Sequence, residues 1–339
     1  MEHWYTQKGA YGETALVSYV SLSRNFRGLP YPVRLNATQK SAAAARVTQL
    51  LQAAGRQFTA ARMSALYPYE AVALADRLLI PPAFASAPEG SALITDETKE
   101  LCLMLCDEDH VCIRALTPAL SPEAAFDAAS EIDVLLDRAV GWAFSQKLGY
   151  LNQDPANLGT GMRAGVLLHL PALSRTGAAP GLVSMAARLG FRMHGAYGDG
   201  FSVPGDLFTV ENTVVMGISE TQALSNLKSF CLQLSTRERA AAEALVGGDI
   251  TVQDRLRRSW ALLTSAALLT TEETMQMISD VRLAALTGSR NVPVEKLNTL
   301  FVAVQPATVN CAAGARLPRH ERDVLRAQLV KKILGVPTE

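Results

Sequence analysis

Two apolar runs of strand length, Leu101-Cys102-Leu103-Met104-Leu105 and Val111-Cys112-Ile113, flank a corner of three acids and a histidine, Asp107-Glu108-Asp109-His110. Runs this short and this apolar read as strands. The charged residues between them have no place inside a core unless partnered, so they belong at a strand end. An isolated Asp-Glu-Asp is a solvated turn in most chains, and only the wider sequence gives it a chemical role.

Around this corner the pattern alternates between helix and strand. Residues 38–78 read as short helices, with 39–51 rich in helix formers. Ser121-Pro122-Glu123 supplies a capping serine, a proline at the first helical position and an acid in the first turn. Phe126, Ala129, Ile132, Leu136, Val140 and Ala143 then recur at helical spacing, so this helix covers one face of a sheet. Residues 191–195, 207–210 and 214–216 are short strand candidates, followed by a helical pattern from 219 to about 245. Gly247-Gly248-Asp249 breaks it, and from Thr251 onward the chain reads as helices separated by Thr270-Thr271, Asn291-Val292-Pro293 and Leu317-Pro318. The expected organisation is a domain over 1–246, with a small helical part at 38–78, and a helical domain over 249–339.

Composition narrows the function classes. A chain of 339 residues, 49% of them hydrophobic, buries a large core. Thirty-two basic and 32 acidic residues cancel, so no global field attracts nucleic acid or an anionic membrane, and neither is expected as a partner. The start Met1-Glu2-His3-Trp4-Tyr5 lacks a signal pattern and no apolar run approaches the roughly 20 residues of a membrane helix. A cytoplasmic location is expected. Five cysteines without a C-x-x-C pair indicate reduced thiols, with no metal site and no disulfide framework.

The acidic corner also lies within a longer collinear pattern. Leu22-Ser23-Arg24-Asn25-Phe26 and Pro30-Tyr31-Pro32 precede it; Pro155-Ala156-Asn157-Leu158-Gly159-Thr160-Gly161-Met162-Arg163-Ala164 and Leu168-His169-Leu170-Pro171 follow, then His194-Gly195-Ala196-Tyr197-Gly198-Asp199-Gly200. In this order the segments resemble the signatures of the ATP:guanidino phosphotransferases, the family of phosphagen kinases and bacterial protein-arginine kinases. Ser279-Asp280-Val281-Arg282-Leu283 and Glu321-Arg322-Asp323-Val324-Leu325-Arg326-Ala327 resemble the protein-arginine branch. The resemblance implies an α+β fold: an antiparallel sheet flanked by helices, as in the guanidino kinase catalytic domain and glutamine synthetase, after a small helical segment and before a C-terminal helical domain.

Guanidino phosphoryl transfer needs carboxylates that hold and deprotonate a guanidinium, and cations that hold a triphosphate. By resemblance the carboxylate half is present. Glu108 falls on the family's catalytic glutamate, Asp109 and His110 match their motif positions, and Asp199 stands for the glutamate of the glycine loop, one methylene shorter. The cation half is depleted, because Tyr19, Ser21, Cys112 and His194 stand at four positions where the family carries arginine, and Arg163 alone is kept. Asp154 replaces a cysteine and Ala156 a threonine. Asn157, Gly159, Thr160 and Gly161 are read as retained turn geometry. A charged hydrogen bond contributes about 1.5–3 kcal/mol. Losing four therefore costs on the order of several kcal/mol, enough to weaken micromolar ATP binding beyond use.

The expected function is that of a pseudokinase, acting by binding arginine or phosphoarginine proteins or an active kinase, with no cofactor. The alternative is an active protein-arginine kinase using Mg-ATP at a site rebuilt with Arg24, Arg27, Arg114 or Arg192. A third reading, a kinase of free arginine, ranks below both because the C-terminal segments resemble the protein-directed branch. The resemblance further implies a phosphoarginine pocket at Arg322 and Asp323, and dimerisation, with itself or an active kinase, through the C-terminal helices. Arg326 and Lys331-Lys332 read as ordinary charges at a helix C-terminus. Implied partners are arginine-phosphorylated proteins, a zinc-binding activator protein, a stress repressor and an AAA+ protease.

Overall fold

The computed structural model of the chain describes residues 3–98, 100–197 and 203–336. Its first half runs β1 (Ala15–Arg24), α1 (Ala37–Ala53), β2 (Phe58–Arg62), α2 (Pro68–Asp76), β3 (Ala92–Asp96), β4 (Leu101–Leu105), β5 (Val111–Pro118) and α3 (Pro122–Val140). Two-residue strands β6 (Phe144–Ser145) and β7 (Gly149–Tyr150) follow, then β8 (Met162–His169), α4 (Pro171–Arg175), α5 (Ala179–Arg188), β9 (Phe191–Gly195) and β10 (Leu207–Asn212). Helices complete it: α6 (Glu220–Gly248), α7 (Ile250–Ser265), α8 (Thr271–Leu286), α9 (Val294–Ala303), α10 (Pro306–Ala313) and α11 (Arg319–Leu334).

Eight strands form one antiparallel sheet in the order β2-β3-β4-β5-β1-β8-β10-β9. β1 lies inside it and is buried almost throughout. Alternation along the strands sends side chains to opposite faces. Val20, Leu22, Leu103, Ile113, Val166 and Val210 pack with α1, α3 and α6 through Val47, Ile132 and Leu227. Val17, Tyr19, Met104, Leu116, Leu167 and Leu207 point the other way and share a second core with Ile278, Val281, Leu300, Phe301 and Val330 of the C-terminal helices. The tail helices thus cover part of the sheet's second face.

A polar seam fixes that contact. The buried Arg282 of α8 donates to the Glu13 and Gly12 carbonyls, both at 2.8 Å, and to His169 Nδ1 at 3.0 Å. A guanidinium only donates, so Nδ1 accepts and the His169 proton sits on Nε2. That proton faces Ser279 Oγ at 2.9 Å, and Ser279 donates to Asp206 Oδ2 at 2.6 Å. Burial, reinforced by Arg282 and Arg175, holds the His169 pKa well below its ordinary value, in keeping with a neutral ring.

Several local expectations are corrected. Within 38–78 the segment Phe58–Arg62 is an edge strand, too exposed to show the apolar alternation by which strands are read. Ser121 precedes α3 but makes no capping bond, since its Oγ donates to Pro118 O at 2.8 Å. Residues 214–216 form no strand; the Val215 carbonyl accepts the Thr160 N–H at 2.9 Å in a loop. α6 continues through Gly247 to Gly248, and a further helix break falls at Val304-Gln305.

On the second face the Tyr19 ring lies across Gly165 of β8, where a Cβ would come within 2.4 Å of the ring. Arg114 holds the ring too, its guanidinium 4.0 Å from the centroid. A Gly165→Ala variant should therefore lose about 1–3 kcal/mol of stability in urea denaturation. The loss should shrink when Tyr19 is also alanine; equal losses in both backgrounds would contradict the packing.

Candidate functional site

The acidic corner joins β4 to β5, as its flanking runs require. Cys106 turns the chain at a φ of 59°, a left-handed conformation uncommon for a side-chain-bearing residue, and its N–H meets the His110 carbonyl at 3.0 Å. Asn25, just past the end of β1, organises the corner. Its Nδ2 donates to Asp109 Oδ1 at 2.6 Å and to the Leu151 carbonyl at 3.0 Å. Its Oδ1 accepts from the His110 N–H at 3.0 Å and from His110 Nδ1 at 2.7 Å. Gln153 N–H also binds Asp109, at 2.9 Å.

The corner and loop acids then play different parts. Asp109 and His110 are buried and held in place, whereas Glu108 is exposed at the tip. Burial lowers the His110 pKa to about 4. Glu108 is raised by partial burial, then by Asp107, Asp109 and Asp154. A group raised by neighbouring anions gains most from an incoming cation. Asp154 caps the turn Pro155–Asn157 by accepting the Ala156 N–H at 2.9 Å. Asp199 lies outside the described residues.

The cation positions line the second face of β1 and its neighbours. Tyr19 reaches over Gly165 to Glu211 of β10, with its hydroxyl 2.5 Å from Oε1. Arg192 donates to Glu211 Oε2 at 2.8 Å, and His194 Nε2 lies 3.6 Å from the same oxygen. Burial pushes the Glu211 carboxyl up, but His194, Tyr19 and Arg192 outweigh it and hold its pKa at about 2. His194 is correspondingly raised, chiefly by Glu211. Ser21 accepts from Arg114 Nη1 at 3.3 Å. Cys112 faces Ser23 across the β1–β5 pair, with burial pushing its thiol up to about 11.

The arginines expected to compensate are mostly engaged. Arg24 is buried in a two-bonded pair with Asp133, both at 2.9 Å, and stacks 3.5 Å over the Tyr150 ring. Arg114 donates to the Leu78 carbonyl at 2.9 Å while packing on Tyr19. Arg27 is exposed. Arg163 is half-buried, held by Asn157 Oδ1 at 3.0 Å and the Asn212 carbonyl at 3.2 Å. Asn157 is therefore an orienting side chain as well as a turn residue. At Gly159, whose φ is +106°, a Cβ would meet the Val215 carbonyl at 2.2 Å, so its retention is steric.

Arg322 and Asp323 line a pocket of about 500 Å³ with Tyr197, Glu272, Arg319 and Arg326. Arg326 is corrected here. It is no exposed helix-end charge but is buried, donating to Val304 O at 2.7 Å, Leu269 O at 2.6 Å and Asp323 Oδ1 at 2.5 Å. Asn25 and Glu211 were not among the sequence candidates. Asn25 was visible within the Ser-Arg-Asn motif, whereas Glu211 needs the cross-strand register to be seen.

Among the described residues no helix is long and apolar enough to cross a membrane. The family described as ATP:guanido phosphotransferase, C-terminal catalytic domain, matches residues 40–241, and the protein-arginine kinase McsB C-terminal domain matches 249–339. Protein-arginine kinase of Halothermothrix orenii is 34% identical over 99% of this chain and 97% of its own length. That of Moorella thermoacetica is 33% identical, covering 98% and 97%. A lombricine kinase crystal structure aligns at a TM-score of 0.57 with 22% identity, over 72% of this chain and 70% of that one. The duplicated taurocyamine kinase from Schistosoma mansoni with transition state analog components aligns at 0.61 with 16% identity, over 80% and 40%. These structural likenesses show the fold, a large antiparallel sheet flanked by helices. With both parts matched in order and its relatives similar from end to end, the chain belongs to the ATP:guanido phosphotransferase family, alongside the protein-arginine kinases.

Proposed function

We propose that this chain is a protein-arginine kinase homologue that acts by binding: the Glu108 end of the cleft takes an arginine guanidinium, while the phosphate end holds no nucleotide. The observation that carries this reading is the Tyr19–Glu211 bond, with Arg192 and His194 drawn onto the same carboxylate. Where the family resemblance calls for arginines, the sheet face presents a tyrosine, a serine and a thiol; Arg192 and His194 already answer an internal anion, and Arg114 and Arg163 are held by neutral groups. A triphosphate brought there would meet the Glu211 charge with few free cations to offset it. These residues do not fit Mg-ATP, and no phosphoryl step is derived through it.

An active kinase with a rebuilt nucleotide site is the second reading. It is favoured by one observation, that the Arg192 side chain remains 65% exposed and could turn from Glu211 toward a phosphate beside Arg163.

The remaining partners follow from the C-terminal helices. We propose that the pocket at Arg322 and Asp323 takes phosphoarginine, with Arg322 and Arg319 toward the phosphate and Asp323 toward the guanidinium. We also propose a homodimer through α7. Ile250, Asp254, Arg258 and Leu262 recur every four residues along its outer face, with Ile250 69% and Leu262 49% exposed. In an antiparallel two-fold pairing centred at Leu256, Ile250 meets Leu262 of the second copy and Asp254 meets Arg258, so the stripe is self-complementary.

Three outcomes are expected. Incubation with ATP and an arginine-rich protein such as casein should give no acid-labile phosphoarginine by mass spectrometry under conditions where an authentic protein-arginine kinase labels it; labelling would support the second reading. Arginine-peptide binding should strengthen as pH rises from 4 to 7, because Glu108, whose pKa is raised, binds a cation only once ionised; Glu108→Gln should flatten that profile. In sedimentation, Arg258→Asp should dissociate the dimer and Asp254→Arg with Arg258→Asp should restore it.

A further inference from the structure

Beside the acidic corner stands a small antiparallel hairpin, β6–β7, that neither the polar chemistry nor the core accounts for. It is tied to the corner through Asn25. Ala143 N–H donates to the Asn25 carbonyl at 2.7 Å, Leu151 N–H donates to the Ala143 carbonyl at 2.9 Å, and the Asn25 amide that accepts His110 and grips Asp109 also grips the Leu151 carbonyl. The hairpin therefore begins and ends one residue from groups bonded to the same asparagine as Asp109.

Its exposed side chains are the apolar Phe144 and Leu148 and, between them at the turn, Gln146 and Lys147. Phe144 is 53% exposed and Leu148 39% exposed. Leu29, 45% exposed, precedes Pro30, whose backbone lies against the His110 ring. Single exposed apolar residues are ordinary, but several beside one charged site mark a contact surface. Phe144 is also fixed in place: its ring meets Tyr150 edge-on at 5.3 Å, and Tyr150 is stacked under the buried Arg24 guanidinium at 3.5 Å. A hairpin tip held this way docks a partner with little ordering cost.

We propose that this shelf makes the cleft select arginine within an extended polypeptide, with a large apolar residue a few positions from the arginine seated against Phe144 and Leu148. This rests on the reading that the Glu108 end takes a guanidinium. Charge complementarity chooses the occupant, because Asp107, Glu108, Asp109 and Asp154 surround the adjoining position and favour a cationic chain over an acidic one. The spacing suits a peptide. From Glu108 to Phe144 the connection passes through Asp109, Asn25 and Ala143, a path that an extended strand at about 3.3 Å per residue follows in roughly three to five residues.

The test is fluorescence anisotropy with two labelled peptides, one carrying arginine three to five residues from a phenylalanine and leucine pair, the other carrying glycine and serine at those places. Intact protein is compared with Phe144→Ser/Leu148→Ser and with Leu148→Ser alone, and sedimentation is run on each. The apolar-flanked peptide should bind about tenfold more tightly to the wild type. The double variant should erase that preference, the single variant should reduce it, and affinity for the glycine-flanked peptide should stay unchanged in both. Equal binding of the two peptides by the wild type overturns the shelf while leaving guanidinium binding standing. Failure of both peptides to bind removes the shelf together with the reading beneath it. A variant that changes the oligomeric state but keeps the peptide preference assigns the hairpin to contact between copies, and the proposal falls.

Discussion

The position of β1 inside the sheet is the constraint from which the site follows. A strand hydrogen-bonded on both edges and buried on both faces has no freedom in register, because a slip by one residue would exchange its two sets of side chains. Val20 and Leu22 are thereby committed to the face covered by α1, α3 and α6, with Arg24 in the same alternation, and Tyr19 to the opposite face, with Ser21 and Ser23. Where β1 runs out, Asn25 takes over. Its single amide group gathers the acid corner, the histidine and the strand-connecting loop into one hydrogen-bonded unit, so Glu108 projects from a rigid support.

The two halves of the cleft differ in what they leave unsatisfied. At the corner, partial burial and then the neighbouring anions push the Glu108 pKa upward, so a guanidinium would relieve an existing repulsion. On the strand face, Glu211 sits low because tyrosine, histidine and arginine already serve it. Opening that face to a triphosphate would first require breaking bonds to a half-buried carboxylate, and leaving one half-satisfied is costly. A single substitution at one arginine position would not have this effect. It arises because Tyr19 is long enough to cross Gly165 and find an acid on the next strand but one.

Much of this was legible in the sequence where local pattern and chemistry coincide. The apolar runs flanking Asp107-Glu108-Asp109-His110 became β4 and β5, and the helical spacing through Ala129, Ile132 and Leu136 became the buried stripe of α3. Other features depend on pairings that no local pattern carries. β2 was missed because an exposed edge strand shows no apolar alternation, and 214–216 was misread because an apolar loop looks like a short strand. Arg24 and Arg114 looked available until Asp133 and the Tyr19 ring were seen beside them. Arg326 looked like a helix-end charge, yet it is buried because α11 packs against the chain that leaves α9 and enters α8. The C-terminal helices themselves were predicted, but their shared core with the sheet was not. Helical periodicity says that a face is buried and is silent on what buries it.

Calorimetric titration of the intact protein with Mg-ATP, alone and in the presence of an arginine-containing peptide, tests the central claim most directly. A closed phosphate half predicts no saturable heat from Mg-ATP through the micromolar range, with the peptide still binding. Saturable binding of Mg-ATP at micromolar concentration, lost on substituting Arg163 or Arg192, would contradict it.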